Sequence, residues 1–166
     1  MDIGVAAAAV VHALVDRGET LAVAESLTGG LLAATVVEIP GVSAVFRGGL
    51  VVYATELKHS LAGVPEKMLA DRGPIDPDVA WALAEGARSR CGADWGLATT
   101  GVAGPEPQDG KPVGMVFVAV AGPARTQVRQ LKLTGSRADI RHETITSVLA
   151  LLVDELRQPA HPSAPS

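Results

Sequence analysis

The chain has 166 residues, 48% hydrophobic but only 3% aromatic, with a formal charge of −4. That length fits one domain whose core is built mainly from Ala, Val and Leu. The acidic balance argues against nucleic-acid binding through a broad phosphate-contacting surface. A single cysteine, Cys91, excludes an internal disulfide and a cysteine cluster for zinc.

The apolar start, Ile3 to Val15, is too short to span a bilayer, and Asp2 stands where a signal peptide carries positive charge. It reads as a first helix, about Ile3 to Asp16, that stops at Arg17-Gly18 in a cytoplasmic protein with no membrane contact. A strand at Thr20 to Glu25 breaks into Ser26-Leu-Thr-Gly-Gly30, and a helix is expected from Thr28 to Glu38, ending before Pro40. A second strand covers Gly48 to Ala54, followed by short helices near Glu56 to Ala62 and Pro65 to Asp71. Asp76-Pro77 supplies a cap and a first-turn proline for a helix ending near Cys91-Gly92. Trp95 to Thr100 makes a third strand. Val113 to Ala121 and Thr126 to Leu133 alternate as a hairpin joined by Gly122 to Arg125. Ser136, with Asp139 three residues on, opens a last helix whose Ile140, Val148, Leu149, Leu152 and Leu156 face the core. The switching periodicity predicts a single-domain α/β fold, three-layer α/β/α, around a mixed, mainly parallel sheet of about five strands. The folded domain is expected over 1–157, and 158–166 is expected to be a disordered tail.

In such a fold ligands sit where strands end and loops diverge. The first such loop places Ser26 where a strand meets a helix, beside N–H groups that Gly29 and Gly30 leave open to a substrate. Ser26 there suits a nucleophile beside an oxyanion site, or Ser26 or Thr28 caps the helix. The second loop carries Tyr53, Thr55 and Lys58, and a lysine becomes a base when burial lowers its pKa. The third runs Thr100-Gly-Val-Ala-Gly104 and on to Lys111-Pro112, glycine- and hydroxyl-rich as a phosphate nest would be, or simply an ordered surface loop. A nucleotide P-loop is excluded, because the spacing from Gly104 to Gly110-Lys111 is one residue too long and Pro112 takes the hydroxyl position.

Four motifs together, Ala24-Glu-Ser-Leu-Thr-Gly-Gly30, Gly48-Gly-Leu-Val-Val-Tyr53 with Lys58, Thr100-Gly-Val-Ala-Gly-Pro105 and Lys111-Pro-Val-Gly114, resemble the CinA C-terminal domain family over about residues 3 to 157. The resemblance implies a nicotinamide-nucleotide amidase that hydrolyses nicotinamide mononucleotide to nicotinic acid mononucleotide and ammonia in pyridine-nucleotide salvage. It implies Ser26 as nucleophile, Lys58 as base or proton shuttle, and Tyr53 in the same polar site, with no metal or other cofactor. Thr28, Gly29 and Gly30 are the expected oxyanion or substrate contacts, with Thr55, Thr100, Gly101, Gly104 and Arg141 as further substrate contacts. It also implies a homo-oligomer in a stand-alone form that lacks the N-terminal domain of larger relatives. The sequence departs from the family pattern at Leu27, often Cys, and at Thr55, often Asn, which keeps a hydroxyl but loses a paired donor and acceptor. The competing reading is a non-catalytic nucleotide-binding or assembly module connected with competence or DNA damage.

Overall fold

In the structure, a computed structural model, residues 2–158 are described. Of the expected tail, only Gln158 falls inside that range, and 159–166 lie outside it. The elements run α1 (Ile3–Arg17), β1 (Leu21–Glu25), α2 (Leu31–Val37), a 3₁₀ turn (Val42–Ala44), β2 (Phe46–Val51), α3 (Thr55–Ser60), α4 (Glu66–Arg72), α5 (Pro77–Cys91), β3 (Trp95–Gly101), β4 (Met115–Ala121), β5 (Thr126–Lys132) and α6 (Arg137–Leu156).

Local chemistry explains most of the boundaries. The Asp2 carboxylate accepts the Val5 N–H to start α1, which stops at Gly18 with φ 65°. Asp76 accepts the N–H groups of Asp78 and Val79 and is followed by Pro77 at the head of α5. At α6 the Ser136 hydroxyl accepts from Asp139 N–H at 3.1 Å while Asp139 accepts from Ser136 N–H at 2.9 Å, closing a capping box.

The sheet order is β2-β1-β3-β4-β5. The strands β2, β1 and β3 run parallel, and β4 and β5 are added antiparallel to them. Alternation along each strand assigns side chains to two cores. Leu21, Val23, Leu97, Val116, Val118 and Val120 pack under α1, α2 and α6, whereas Ala22, Ala24, Ala98, Ala119 and Ala121 face α5. The alanines make the α5 side shallow, and the helix settles close to the sheet: a Cβ on Gly96 would stand 2.2 Å from the Ala84 carbonyl oxygen. The scarcity of aromatic residues is thus matched by close backbone approach. Ala6, Ala7, Val10, Val11 and Leu14 of α1 are buried within the domain, while Val5 and Val15 on its other face are exposed.

The main boundary differences from the sequence reading fall at α2, β2 and β4. The helix α2 begins at Leu31 rather than Thr28, because Gly29 and Gly30 adopt φ 57° and 102° and make the preceding turn non-helical. The strand β2 runs from Phe46 to Val51, its register set by parallel pairing with β1, so Tyr53 stands in the following loop. The strand β4 starts at Met115 because Gly114, at φ 90°, turns its N–H to the Val102 carbonyl.

Candidate active site

With β1 between two parallel neighbours, the chain leaves β1 toward β2 and returns on the other side to β3, and a crevice opens where the two paths diverge. A cavity of about 240 Å³ lies there. Ser26, immediately after β1, lines it, together with Tyr53, Thr55 and Lys58 from the loop after β2 and the first turns of α3. Thr100, Gly101 and Gly104 line it from the end of β3. The structure therefore brings residues from all three expected loops to one wall.

Lys58 is the decisive side chain. The short helix α3 folds it back under Ser26, leaving it 1% exposed. Its Nζ donates to Ser26 Oγ at 2.9 Å, to the Val52 carbonyl at 2.8 Å and to the Tyr53 carbonyl at 3.4 Å. Burial pushes its pKa down from 10.5 to about 8, against the opposing pull of the Asp109 and Glu56 carboxylates. Backbone carbonyls hold two of the amine's donors, and the third position points at the serine.

The Tyr53 hydroxyl accepts from Arg137 Nη2 at 3.2 Å, and Arg137 Nη1 donates to the Gly104 carbonyl at 2.6 Å. Arg137 thereby stands at the cavity, joining the loops after β2 and β3. Thr100 is nearly fully buried, and its hydroxyl donates to the Pro74 carbonyl at 2.7 Å, tying the end of β3 to the segment before α5. Glu106 lines the cavity as well.

Several expected contacts are placed elsewhere. Arg141 does not line the cavity; its Nε and Nη2 donate to the carbonyls of Leu27 and Thr28, each at 2.9 Å, and clamp the serine turn from behind. Thr28, Gly29 and Gly30 also stand off the cavity wall. The Thr28 hydroxyl is buried against Glu25 and Thr99, and the Gly29 N–H donates to the Ser26 carbonyl at 3.1 Å. The first turn of α2 is closed by Glu25, whose two carboxylate oxygens accept from Leu32 N–H at 2.8 Å and Ala33 N–H at 3.0 Å. Beside Ser26, the N–H groups of Leu27 and Thr28 meet no acceptor among the described residues.

Sequence reasoning missed Arg137 as a cavity residue, Glu25 as the helix cap, and the tip of the loop after β3. There Gln108 and Lys111 exchange backbone bonds at 3.1 and 2.8 Å around Asp109 and Gly110, at φ 50° and 73°. That two-residue Asp-Gly turn has a known sequence signature. Glu25 also left a trace, as a lone charge closing a strand that is buried at every position.

A mixed α/β sheet whose switch point holds a buried serine–lysine pair is the class of site that this structure defines. The chain belongs to the CinA C-terminal domain family, whose model matches residues 5–156. It is 54% identical over 139 residues to a CinA-like protein of Frankia casuarinae, covering 84% of this chain and 32% of that protein. It is 44% identical over 138 residues to a putative competence-damage inducible protein of Desulforamulus reducens, covering 83% and 34%. The chain thus spans about a third of the length of these curated relatives. Among solved structures, the competence/damage inducible protein CihA from Agrobacterium tumefaciens superposes with TM-score 0.90 at 32% identity, covering 95% of this chain and 97% of that one. A CinA superfamily protein from Klebsiella pneumoniae gives TM-score 0.90 at 28% identity, covering 94% and 98%. No helix among the described residues is long and apolar enough to cross a membrane.

Proposed function

We propose that this chain is a nicotinamide mononucleotide deamidase, converting the carboxamide to a carboxylate with release of ammonia through a Ser26 nucleophile. The observation that carries the chemistry is the buried Lys58 amine 2.9 Å from Ser26 Oγ. In its neutral form Lys58 donates its two N–H groups to the Val52 and Tyr53 carbonyls, and its lone pair faces the serine. The Ser26 O–H then donates to Nζ.

Ser26 Oγ attacks the amide carbon while Nζ takes its proton, forming a tetrahedral oxyanion and a Lys58 ammonium. The N–H of Leu27, a cavity-lining residue, meets no acceptor among the described residues and is the donor available for that oxyanion. Collapse breaks the C–N bond as the ammonium returns the proton to the departing nitrogen, giving ammonia, an acyl ester on Ser26 and a neutral amine. Water then attacks the ester, Lys58 accepts its proton and passes it to Ser26 Oγ, and the carboxylic acid product leaves. Each proton that Lys58 takes is returned within the same half-reaction.

The substrate is supported by the family resemblance and by the charges at the cavity. Arg137 suits a phosphate and Glu106 suits a cationic pyridinium ring, so the lining matches a zwitterion. A homo-oligomer in the cytoplasm belongs to the same reading.

The test is to incubate the purified chain with nicotinamide mononucleotide and quantify ammonia and nucleotide products. Ammonia and nicotinic acid mononucleotide in equal amounts are expected. Absence of both from a folded chain would overturn the deamidase and favour a nucleotide-binding module. Arg137→Met is expected to raise KM about tenfold while kcat changes little, because an arginine–phosphate contact contributes on the order of 1.5 kcal/mol or more to binding. Steady-state kinetics over a wide substrate range checks this, and an unchanged KM removes Arg137 from the phosphate site.

A further inference from the structure

Glu25 is wholly buried at the end of β1, adjoining the proposed nucleophile, yet it does not line the cavity. Three donors converge on it. Leu32 N–H and the Thr28 hydroxyl meet Oε1 at 2.8 and 2.6 Å, and Ala33 N–H meets Oε2 at 3.0 Å. A carboxylate offers only lone pairs, so both oxygens act as acceptors and the Thr28 hydroxyl spends its proton on Oε1. Thr28 Oγ1 is then left as an acceptor toward Thr99 Oγ1, 2.8 Å away. Thr99 in turn must donate to Thr28, which leaves the Thr99 oxygen free to accept. What faces it is the N–H of Ser26, which divides between Thr99 Oγ1 at 3.4 Å and the Thr99 carbonyl at 3.0 Å.

Each hydroxyl is thus assigned a direction by the carboxylate at the end of the chain. Ser26 N–H donates to Thr99, Thr99 O–H to Thr28, and Thr28 O–H to Glu25. All three side chains are 0% exposed, so water does not compete for these bonds. We infer that Glu25, Thr28 and Thr99 are positioning residues that act through this directed chain to hold Ser26 in its reactive orientation. The inference rests on the serine–lysine reading of the site. It explains why the strand–turn motif carries an acid and a threonine around the serine although neither side chain reaches the cavity. The first turn of α2 is likewise closed to an oxyanion: the N–H groups of Leu32 and Ala33 are taken by Glu25 and that of Leu31 by the Thr28 carbonyl.

The test compares Thr99→Val, which keeps the shape and removes the hydroxyl, with Thr99→Ser, which restores the hydroxyl. Two readouts are used: kcat and KM for ammonia release from nicotinamide mononucleotide, and the rate at which a fluorophosphonate labels Ser26, where Oγ displaces fluoride from phosphorus. Thr99→Val is expected to lower kcat and the labelling rate about tenfold each with KM within about twofold of wild type, the scale of a small misplacement of a reacting group. Thr99→Ser is expected to recover most of both. Glu25→Gln sets an amide N–H₂ against the Leu32 or Ala33 N–H and is expected to slow labelling as much. Wild-type labelling by Thr99→Val overturns the inference. So does a Thr99→Ser variant as slow as Thr99→Val, since packing rather than the bond would then be at work. A wild type that labels at Ser26 but releases no ammonia overturns the deamidase alone, and the labelling rates still decide the chain. Thr99→Val and Thr99→Ser carry that decision even where Glu25→Gln does not fold.

Discussion

Lys58→Met and Ser26→Ala are each expected to lower ammonia release by about 10³-fold or more, since one removes the proposed base and the other the proposed nucleophile, which on that proposal act as a unit. For the same reason, the double variant should be little worse than either single one. In wild type the rate should follow the fraction of neutral Lys58. Its pKa of about 8 makes kcat/KM rise with pH through that value and level off above it. A flat profile between pH 6.5 and 9.5 would remove Lys58 from the role of base.

The same lysine links stability to pH, and the sign is opposite to that of a lysine whose pKa an ion pair raises. At pH 7 the amine is protonated in both folded and unfolded chains, so the cost of burying the ammonium is fully present. Between about 8 and 10.5 the folded chain has lost the proton that the unfolded chain keeps, and folding becomes more favourable as pH rises. The gap between those two values corresponds to about 3 kcal/mol. Lys58→Met lacks this dependence. Its stability relative to wild type should therefore be highest at pH 7 and fall by about that amount toward pH 10.5, as urea titrations at the two pH values would measure.

Gly86→Ala is the second large effect, and here two terms of opposite sign compete. Within a helix the exchange ordinarily stabilises by about 1 kcal/mol. On α5, however, the added Cβ would stand 2.0 Å from the Ala62 carbonyl oxygen, a backbone atom that cannot rotate away. The steric term wins, and a net loss of about 3 kcal/mol is expected, or about 6–12 °C in Tm. The effect should reach the site as well. Ala62 belongs to the segment that follows α3, where Gly63 N–H bonds the His59 carbonyl at 2.9 Å and Val64 N–H bonds the Lys58 carbonyl at 3.0 Å. Pushing that segment outward moves the backbone that carries Lys58, so the folded fraction should also turn over more slowly. Thermal melts and kinetics on the same samples check both, and a variant as stable as wild type would show that α5 does not seat α3 by this contact.

The layered fold was legible because its signals are local. The apolar runs at Leu21 to Glu25 and Met115 to Ala121, the caps at Asp2, Asp76 and Ser136, and the stop at Gly18 each act within a few residues. The candidate nucleophile was legible for the same reason: a serine beside two glycines at the end of an apolar strand marks a turn whatever surrounds it. Where local signals competed, the reading slipped. Thr28 to Gly30 looked helical from the apolar spacing that follows, but two positive-φ glycines and a cap contributed by Glu25, seven and eight residues before its N–H partners, delayed the helix to Leu31.

Arg137 and Arg141 show the limit most clearly. They stand one turn apart on the same face of α6, so periodicity cannot separate them. Only the position of the helix axis over the Ser26 turn puts Arg137 at the cavity and Arg141 on the carbonyls of Leu27 and Thr28. By itself the sequence determined a mixed sheet between helices, a polar turn at Ser26 and three loops rich in polar groups. The tertiary structure alone decided that Lys58, 32 residues further on, would lie buried 2.9 Å from Ser26, with carbonyls on its other donors. The physical reason is that lowering a lysine's pKa requires desolvation, and desolvation is a property of the packing around a residue rather than of its neighbours in the chain.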